Sequence, residues 1–187
     1  MDKSIIIKPT YMFYNLDDAI NILRRTPDVL DTLLRGLPSR WLTSNEGENT
    51  WSPYDVLGHL IHGEKTDWIA RLEITLRDEG DGKYAPFDRF AQFKESKGKS
   101  MNDLLDEFKF VRGKNLRVLV SKNITEKDFT RRAIHPSFGE VTLRQLLSTW
   151  VVHDFDHIFQ IVRVMSHQYD AEVGPWKEYL RILKDIN

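Results

Sequence analysis

The chain contains no cysteine. That excludes disulfides, iron–sulfur clusters, a thiol nucleophile and every thiolate zinc site, so a metal centre here has only histidine, carboxylate and water to draw on. Long apolar runs are missing too. No stretch approaches the ~18 residues of a membrane span, and MDKSIIIKPTYMF at the N-terminus has three consecutive isoleucines before a lysine and a proline. It does not read as a signal peptide, and the expectation is a cytoplasmic protein. An excess of either charge is also lacking. Lysine plus arginine is 27 against 28 acids, a net charge of −1, which gives no footprint for DNA or RNA. Strand signals are nearly absent, and there are no repeats. What remains is an ordinary globular composition, 41% hydrophobic and 29% charged over 187 residues. This implies one domain, residues 1–187, with a substantial core.

Helix signals dominate. Asn15 caps a piece from Leu16 to Arg25, and Thr26 then caps a second piece with Pro27 at its first position, running to about Leu34. Three capping boxes open the long helices. Ser52 pairs with Asp55 and starts a helix to about Arg77. Ser100 pairs with Asp103 and starts one to about Val120. Thr142 pairs with Gln145 and starts one to about Ser166. A short turn at TEKDF and a tail helix from Pro175 to Lys184 complete the set. The expected fold is all-α, a four-helix bundle with short additional helices at both ends, and bundles build ligand and metal sites from inward-facing side chains.

The segment WVVHDFDHIFQIVRV places two histidines and two aspartates in an otherwise apolar helix. On a helical wheel Leu146, Trp150, His157, Gln160 and Val164 all fall within about 60° of His153. Asp156 and Asp154 flank that stripe. On the Ser52 helix, Val56, His62, Gly63, Thr66 and Ala70 gather around His59, small or polar, while Leu57, Ile61 and Trp68 take the other side. Gly63 costs roughly 1 kcal/mol relative to alanine inside a helix, and close helix approach or room for a ligand would explain it. His59, His153 and His157 thus supply three imidazoles from two helices, and three ligands plus an open position is the pattern of a catalytic metal site. Imidazole suits zinc, nickel, iron or copper, so the ligand set does not choose the metal; zinc or nickel is the first expectation, with iron or manganese as alternatives. Asp154, Asp156 and Gln160 are candidates to orient the rings. Asp154, Asp156 and His62 are candidate general bases. Gln160 and Trp150 are candidates for contact with a bound cofactor, although Trp51, Trp68 and Trp150 read first as core packing. An i, i+4 histidine pair also arises by chance. A hydrogen-bonded polar core and a solvated face therefore remain alternatives. His135 reads as a surface residue and His167 as a helix C-terminal one.

Taken together, NTWSPYDVLGHLIHGE and HPSFGEVTLRQLLSTWVVHDFDHIFQIVRV resemble the DinB-like superfamily, in particular its YfiT-like branch. The shared features are the W-S-P helix entry, the H-L that follows it, the G-x-V-T-L-R-Q-L-L lead-in and the H-x-x-x-H-x-x-Q. The resemblance runs from Asn15 to about Val164. It implies a four-helix bundle that binds a divalent metal through His59, His153 and His157. It also implies a metal-dependent hydrolase, or a transferase or isomerase using a low-molecular-weight thiol such as bacillithiol, mycothiol or glutathione. The partner is then a small molecule and the protein a homodimer, with no role for nucleic acid or membrane. Two other enzyme readings are weaker. His153-Asp154 matches the start of an HD phosphohydrolase motif, but only Asp170 and Asp185 follow downstream. A di-iron bundle wants paired Glu-x-x-His motifs, and only Asp154-x-x-His157 comes near. A reading of another class is a non-catalytic metal- or ligand-binding bundle of the stress-response type.

Overall fold

The computed structural model describes residues 12–184, and the isoleucine run near the N-terminus lies outside them. Four long helical segments form the bundle: α1 (Leu16–Leu34), α3 (Pro53–Thr66) continued by α4 (Trp68–Leu76), α6 (Met101–Ser121) and α7 (Leu143–His167). Short helices α2 (Ser39–Thr43) and α5 (Ala91–Glu95) occupy loops in which the sequence signals no helix. All three capping boxes form. The amides of Ser52, Ser100 and Thr142 donate to Asp55, Asp103 and Gln145 at 3.0, 2.8 and 2.8 Å, and each cap side chain accepts from the third helical amide.

Four local expectations are corrected. The two pieces expected around Thr26 are one helix, α1, with Pro27 inside it. A proline there leaves the carbonyl four residues back without its N–H partner. That carbonyl belongs to Leu23, and Arg112 Nη1 donates to it at 2.8 Å. Thr26 is not a cap; its hydroxyl donates to Asp154 Oδ2 at 2.6 Å. The Ser52 helix is interrupted at Asp67 (φ −112°, ψ −69°), although Asp67 N–H still reaches Gly63 O and Arg71 N–H reaches Asp67 O. Thr66 Oγ1 donates back to His62 O at 2.8 Å, a competition that bends helices.

An antiparallel hairpin, β1 (Arg132–His135) with β2 (Gly139–Thr142), lies where almost no strand signal exists, in the register Arg132↔Thr142 and His135↔Gly139. Its turn is closed by His135 Nδ1, which accepts from the amides of Ser137 and Phe138. Gly139 there takes a φ of 71°, open to glycine without a Cβ clash. The tail forms two 3-10 turns, Gly174–Tyr179 and Arg181–Leu183, in place of an α-helix. Leu183 is buried and Lys184 O accepts from Arg163 Nη1 at 3.1 Å, so docking onto α7 sets the course of the tail.

The apolar core divides in two. One cluster centres on Leu23, Trp68, Leu72, Leu143 and Trp150, the other on Leu30, Leu57, Phe108 and Ile161. On each long segment a buried polar residue falls between the two sets: Thr26 on α1, Glu64 on α3, Arg112 on α6 and Asp154 on α7. The bundle therefore carries a polar layer across its middle, and this layer fixes how the histidine-bearing helices face each other.

Candidate metal centre

α3 supplies His59 and α7 supplies His153 and His157, four residues apart and so on one face. Their rings meet. Centroids are 4.8 Å apart for His59–His157, 5.5 Å for His59–His153 and 4.3 Å for His153–His157. One nitrogen from each lies within 4.8 Å of the other two. The Nε2 atoms of His153 and His157 are 3.1 Å apart, close to the ~3.3 Å between two ligands of a tetrahedral ion with bonds of about 2.0 Å. His157 Nδ1–H donates to Gln160 Oε1 at 2.8 Å, which leaves the Nε2 lone pair free to face His153.

Protonation is set by burial. It lowers the pKa of His59 to about 3, with His157, His62 and Arg89 adding repulsion. It lowers that of His153 to about 2, with His157 and His59 as the next causes, and it also lowers that of His157. All three imidazoles are neutral at physiological pH, the form that ligates a metal. A purely hydrogen-bonded core would satisfy its ring nitrogens, yet His59 Nδ1 is buried without a partner; His153 Nδ1 is unpartnered too, with Nε2 the nitrogen that meets His157. The donor set fits a divalent cation. Among the described residues no cysteine, carboxylate or further histidine joins the group, so one side stays open.

That side faces a cavity of about 880 Å³. Trp51 and Phe87 wall it beside His59, with ring centroids at 4.9 and 5.4 Å. Phe138 and His135 of the hairpin, stacked at 4.4 Å, contribute from the other elements. Gly63 lines the cavity, and a Cβ there would meet only Trp68 Nε1 at 3.4 Å, so this glycine leaves room. Close helix approach belongs instead to Gly58, whose Cβ would lie 2.5 Å from Ser96 Oγ.

Gln160 is on the cavity wall as well as behind His157. The other sequence candidates are placed elsewhere. Asp154 is fully buried in the polar layer, bound to Arg112 and Thr26. Asp156 is exposed. His62 is buried with Nδ1 3.1 Å from Glu95 Oε1 and does not line the cavity. Trp150 also turns away from it: its indole N–H donates to Glu64 Oε1 at 2.9 Å and its ring stacks on Trp68. Trp68 in turn stands edge-on to His153 at 5.1 Å and lines the cavity, so Trp150 backs the site from behind Trp68 without entering it.

The cavity holds residues that sequence reasoning missed. Asp67 lines it next to Arg71, with Oδ1 and Nε 2.6 Å apart. Burial pushes the Asp67 carboxyl up to about 6, against the pull of Arg71 and His62. Glu46, Arg163 and Arg89 also face it. The i, i+4 spacing of Asp67 and Arg71 is visible in the sequence, but it signals a surface pair on a helix as readily as a cavity wall.

Residues 22–161 match the family model of the DinB superfamily. Among solved structures, the chain is similar to YfiT from Bacillus subtilis, described as "a probable metal-dependent hydrolase with an unusual four-helix bundle topology". The TM-score is 0.69 at 22% identity, with 86% of this chain and 92% of that one covered. It is also similar to a DinB-like protein from Bacillus subtilis, with a TM-score of 0.52 at 15% identity, 81% of this chain and 92% of that one being covered. No curated protein matches. At these identities the two structures speak for the fold.

Proposed function

The chain belongs to the DinB superfamily, and from that premise we propose that it is a metal-dependent enzyme acting on a small molecule. His59, His153 and His157 hold the ion, zinc or nickel first, iron or manganese as alternatives. The observation that carries this is the 3.1 Å approach of the His153 and His157 Nε2 atoms, with His59 beside them and an open cavity in front. A divalent cation held there supplies Lewis acidity, enough to make a water or a thiol a nucleophile near neutral pH. The protein's own work is to keep three imidazoles neutral, to orient His157 through Gln160, and to wall the site with Trp51 and Phe87. Asp67, with its carboxyl near 6, is the proton acceptor on that wall.

Hydrolysis is the first reading, because a carboxylate poised near neutrality suits the activation of water. Transfer from a low-molecular-weight thiol uses the same open side and is the second. A non-catalytic bundle that binds metal for stability would close its site with a fourth protein ligand, and none stands beside the triad among the described residues. A cytoplasmic location and a homodimer belong to the same proposal. Val152, Phe155 and Phe159, exposed along one face of α7, are the surface we assign to the dimer, and a monomeric mass in solution would remove that part.

Elemental analysis of untagged protein tests the centre. About one equivalent of a transition metal per chain, lost in His157→Ala, is the expected result. Full metal retention by that variant, or no uptake by the wild-type protein from divalent salts, overturns it.

A further inference from the structure

Five charged side chains line the cavity: Glu46, Asp67, Arg71, Arg89 and Arg163. Four of them are already matched. Arg71 lies 2.6 Å from Asp67, with both side chains less than one-seventh exposed. Arg163 donates from Nε to both carboxylate oxygens of Glu46 at 3.1 and 3.2 Å, and from Nη1 to Lys184 O. Arg89 has no carboxylate within ion-pair distance among the described residues. It is exposed, so it stays solvated at no cost until something displaces its water.

Its position relates it to the triad. Phe87, two residues earlier in the segment between α4 and α5, stands edge-on to His59 at 5.4 Å. Two residues of chain span at most ~7 Å, so the backbone of Arg89 is tied close to a side chain that touches a candidate ligand. The walls between are largely aromatic, and charge acts over longer range across such surfaces than in water. With the histidines neutral, the lining sums to one uncompensated positive charge, in a chain whose overall charge is −1.

We propose that the substrate carries a carboxylate and that Arg89 receives it, while the reacting end of the same molecule lies at the histidine triad. This rests on the metal-dependent reading above. A single free guanidinium presents one planar fork that matches one carboxylate in a two-pronged contact. A phosphate dianion would call for further positive charge, and the charges of the two other arginines are already paired with Asp67 and Glu46. Arg89 is therefore a specificity residue: it selects among metal-binding molecules by the charge at their far end.

The test uses full-length protein loaded with nickel, with loading confirmed equal in each variant. The probes are two series of hydroxamates, which ligate metals directly. One series carries a terminal carboxylate after two, three or four methylenes, and the other a terminal methyl at matched lengths. Affinities are measured by calorimetry for wild type, Arg89→Gln and Arg89→Lys. The expected result is that the best carboxylate binds about tenfold tighter than its methyl counterpart, a difference of ~1.4 kcal/mol. The preference should vanish in Arg89→Gln and survive in part in Arg89→Lys, with methyl-series affinities unchanged. If the preference persists in Arg89→Gln, the metal's own charge is its source and Arg89 has no such role. If wild type binds both series equally, the metal reading stands and the carboxylate is lost. If neither series binds although nickel is loaded, the ion has no open position, the catalytic part of the metal-dependent reading fails and this proposal falls with it.

Discussion

Arg112 and Asp154 face each other in a two-pronged ion pair inside the bundle, Nη1 to Oδ2 at 2.6 Å and Nη2 to Oδ1 at 2.8 Å, with neither side chain more than 1% exposed. The same guanidinium reaches Glu64 on α3 and Leu23 O on α1, so one side chain from α6 touches all three other long segments. Asn115 and Trp150 also donate to Glu64, and Thr26 to Asp154. Because Asp154 is next to His153, this pairing sets the rotation of α7 and turns the histidine stripe toward His59.

Arg112→Met is the sharpest probe of that layer. It leaves the carboxylates of Glu64 and Asp154 buried without their cation and the Leu23 carbonyl without a donor. Removing one partner of a buried ion pair costs ~3–5 kcal/mol. Urea unfolding of the metal-free protein should show a loss of that size; a loss under about 1 kcal/mol would mean that the layer is held by its neutral donors instead.

Stability of the metal-free protein should fall as pH drops below 6.5. His59 and His153 have folded pKa values of about 3 and about 2 against 6.5 unfolded, so between those limits the unfolded chain binds more protons and acid favours it. Each such imidazole contributes a slope of up to ~1.4 kcal/mol per pH unit. Asp67 acts in the opposite sense, because its raised pKa of about 6 makes the folded state the better proton binder between about 4 and 6. Unfolding curves at pH 7 and pH 5 for wild type and His153→Gln separate the two. The variant should show the shallower decline, and an equal decline in both would show that His153 is not held neutral by the fold.

Asp67→Asn tests the proton acceptor once a turnover assay exists. The wild-type kcat/KM profile should carry an acid limb near pH 6, matching the carboxyl pushed up to about 6. The variant should lose that limb and at least ~100-fold in kcat while keeping its metal. An unchanged profile would assign the limb to another group and leave Asp67 as the partner of Arg71.

Much of this was legible in the sequence, and the misses have physical reasons. Capping boxes and hydrophobic period are local, and they located α3, α6 and α7 to within a residue or two at their starts. The shared face of His153 and His157 is legible because four-residue spacing fixes it whatever surrounds them, whereas His59 joins them through the family resemblance. Pro27 misled because its usual effect, an orphaned carbonyl, is cancelled by Arg112, 85 positions away. Asp154 reads as a candidate base in the sequence, which does not reveal that an arginine on another helix claims both its oxygens. The hairpin was invisible because its strands are four residues each, with Pro136 and Gly139 interrupting the alternation. Asp67 and Arg89 belong to a cavity assembled from segments far apart in the chain, and no window of sequence contains it.

Gln160 offers the last prediction. Its Oε1 accepts from His157 Nδ1 at 2.8 Å, so it fixes both the tautomer and the tilt of that ring, and it does so without joining the ligand group. Partners of this kind typically change metal affinity 10–100-fold when removed. Gln160→Leu should therefore weaken nickel or zinc binding by that range in a competition titration against a chelator. Stability of the metal-free protein should change by less than ~1 kcal/mol, since the side chain is only half-buried. Gln160→Glu should restore affinity, because a carboxylate accepts the same N–H and raises the basicity of the ring. Equal affinity in the leucine variant would show that packing by Trp51 and Trp68 is enough to hold the histidines, and that Gln160 serves the cavity wall alone.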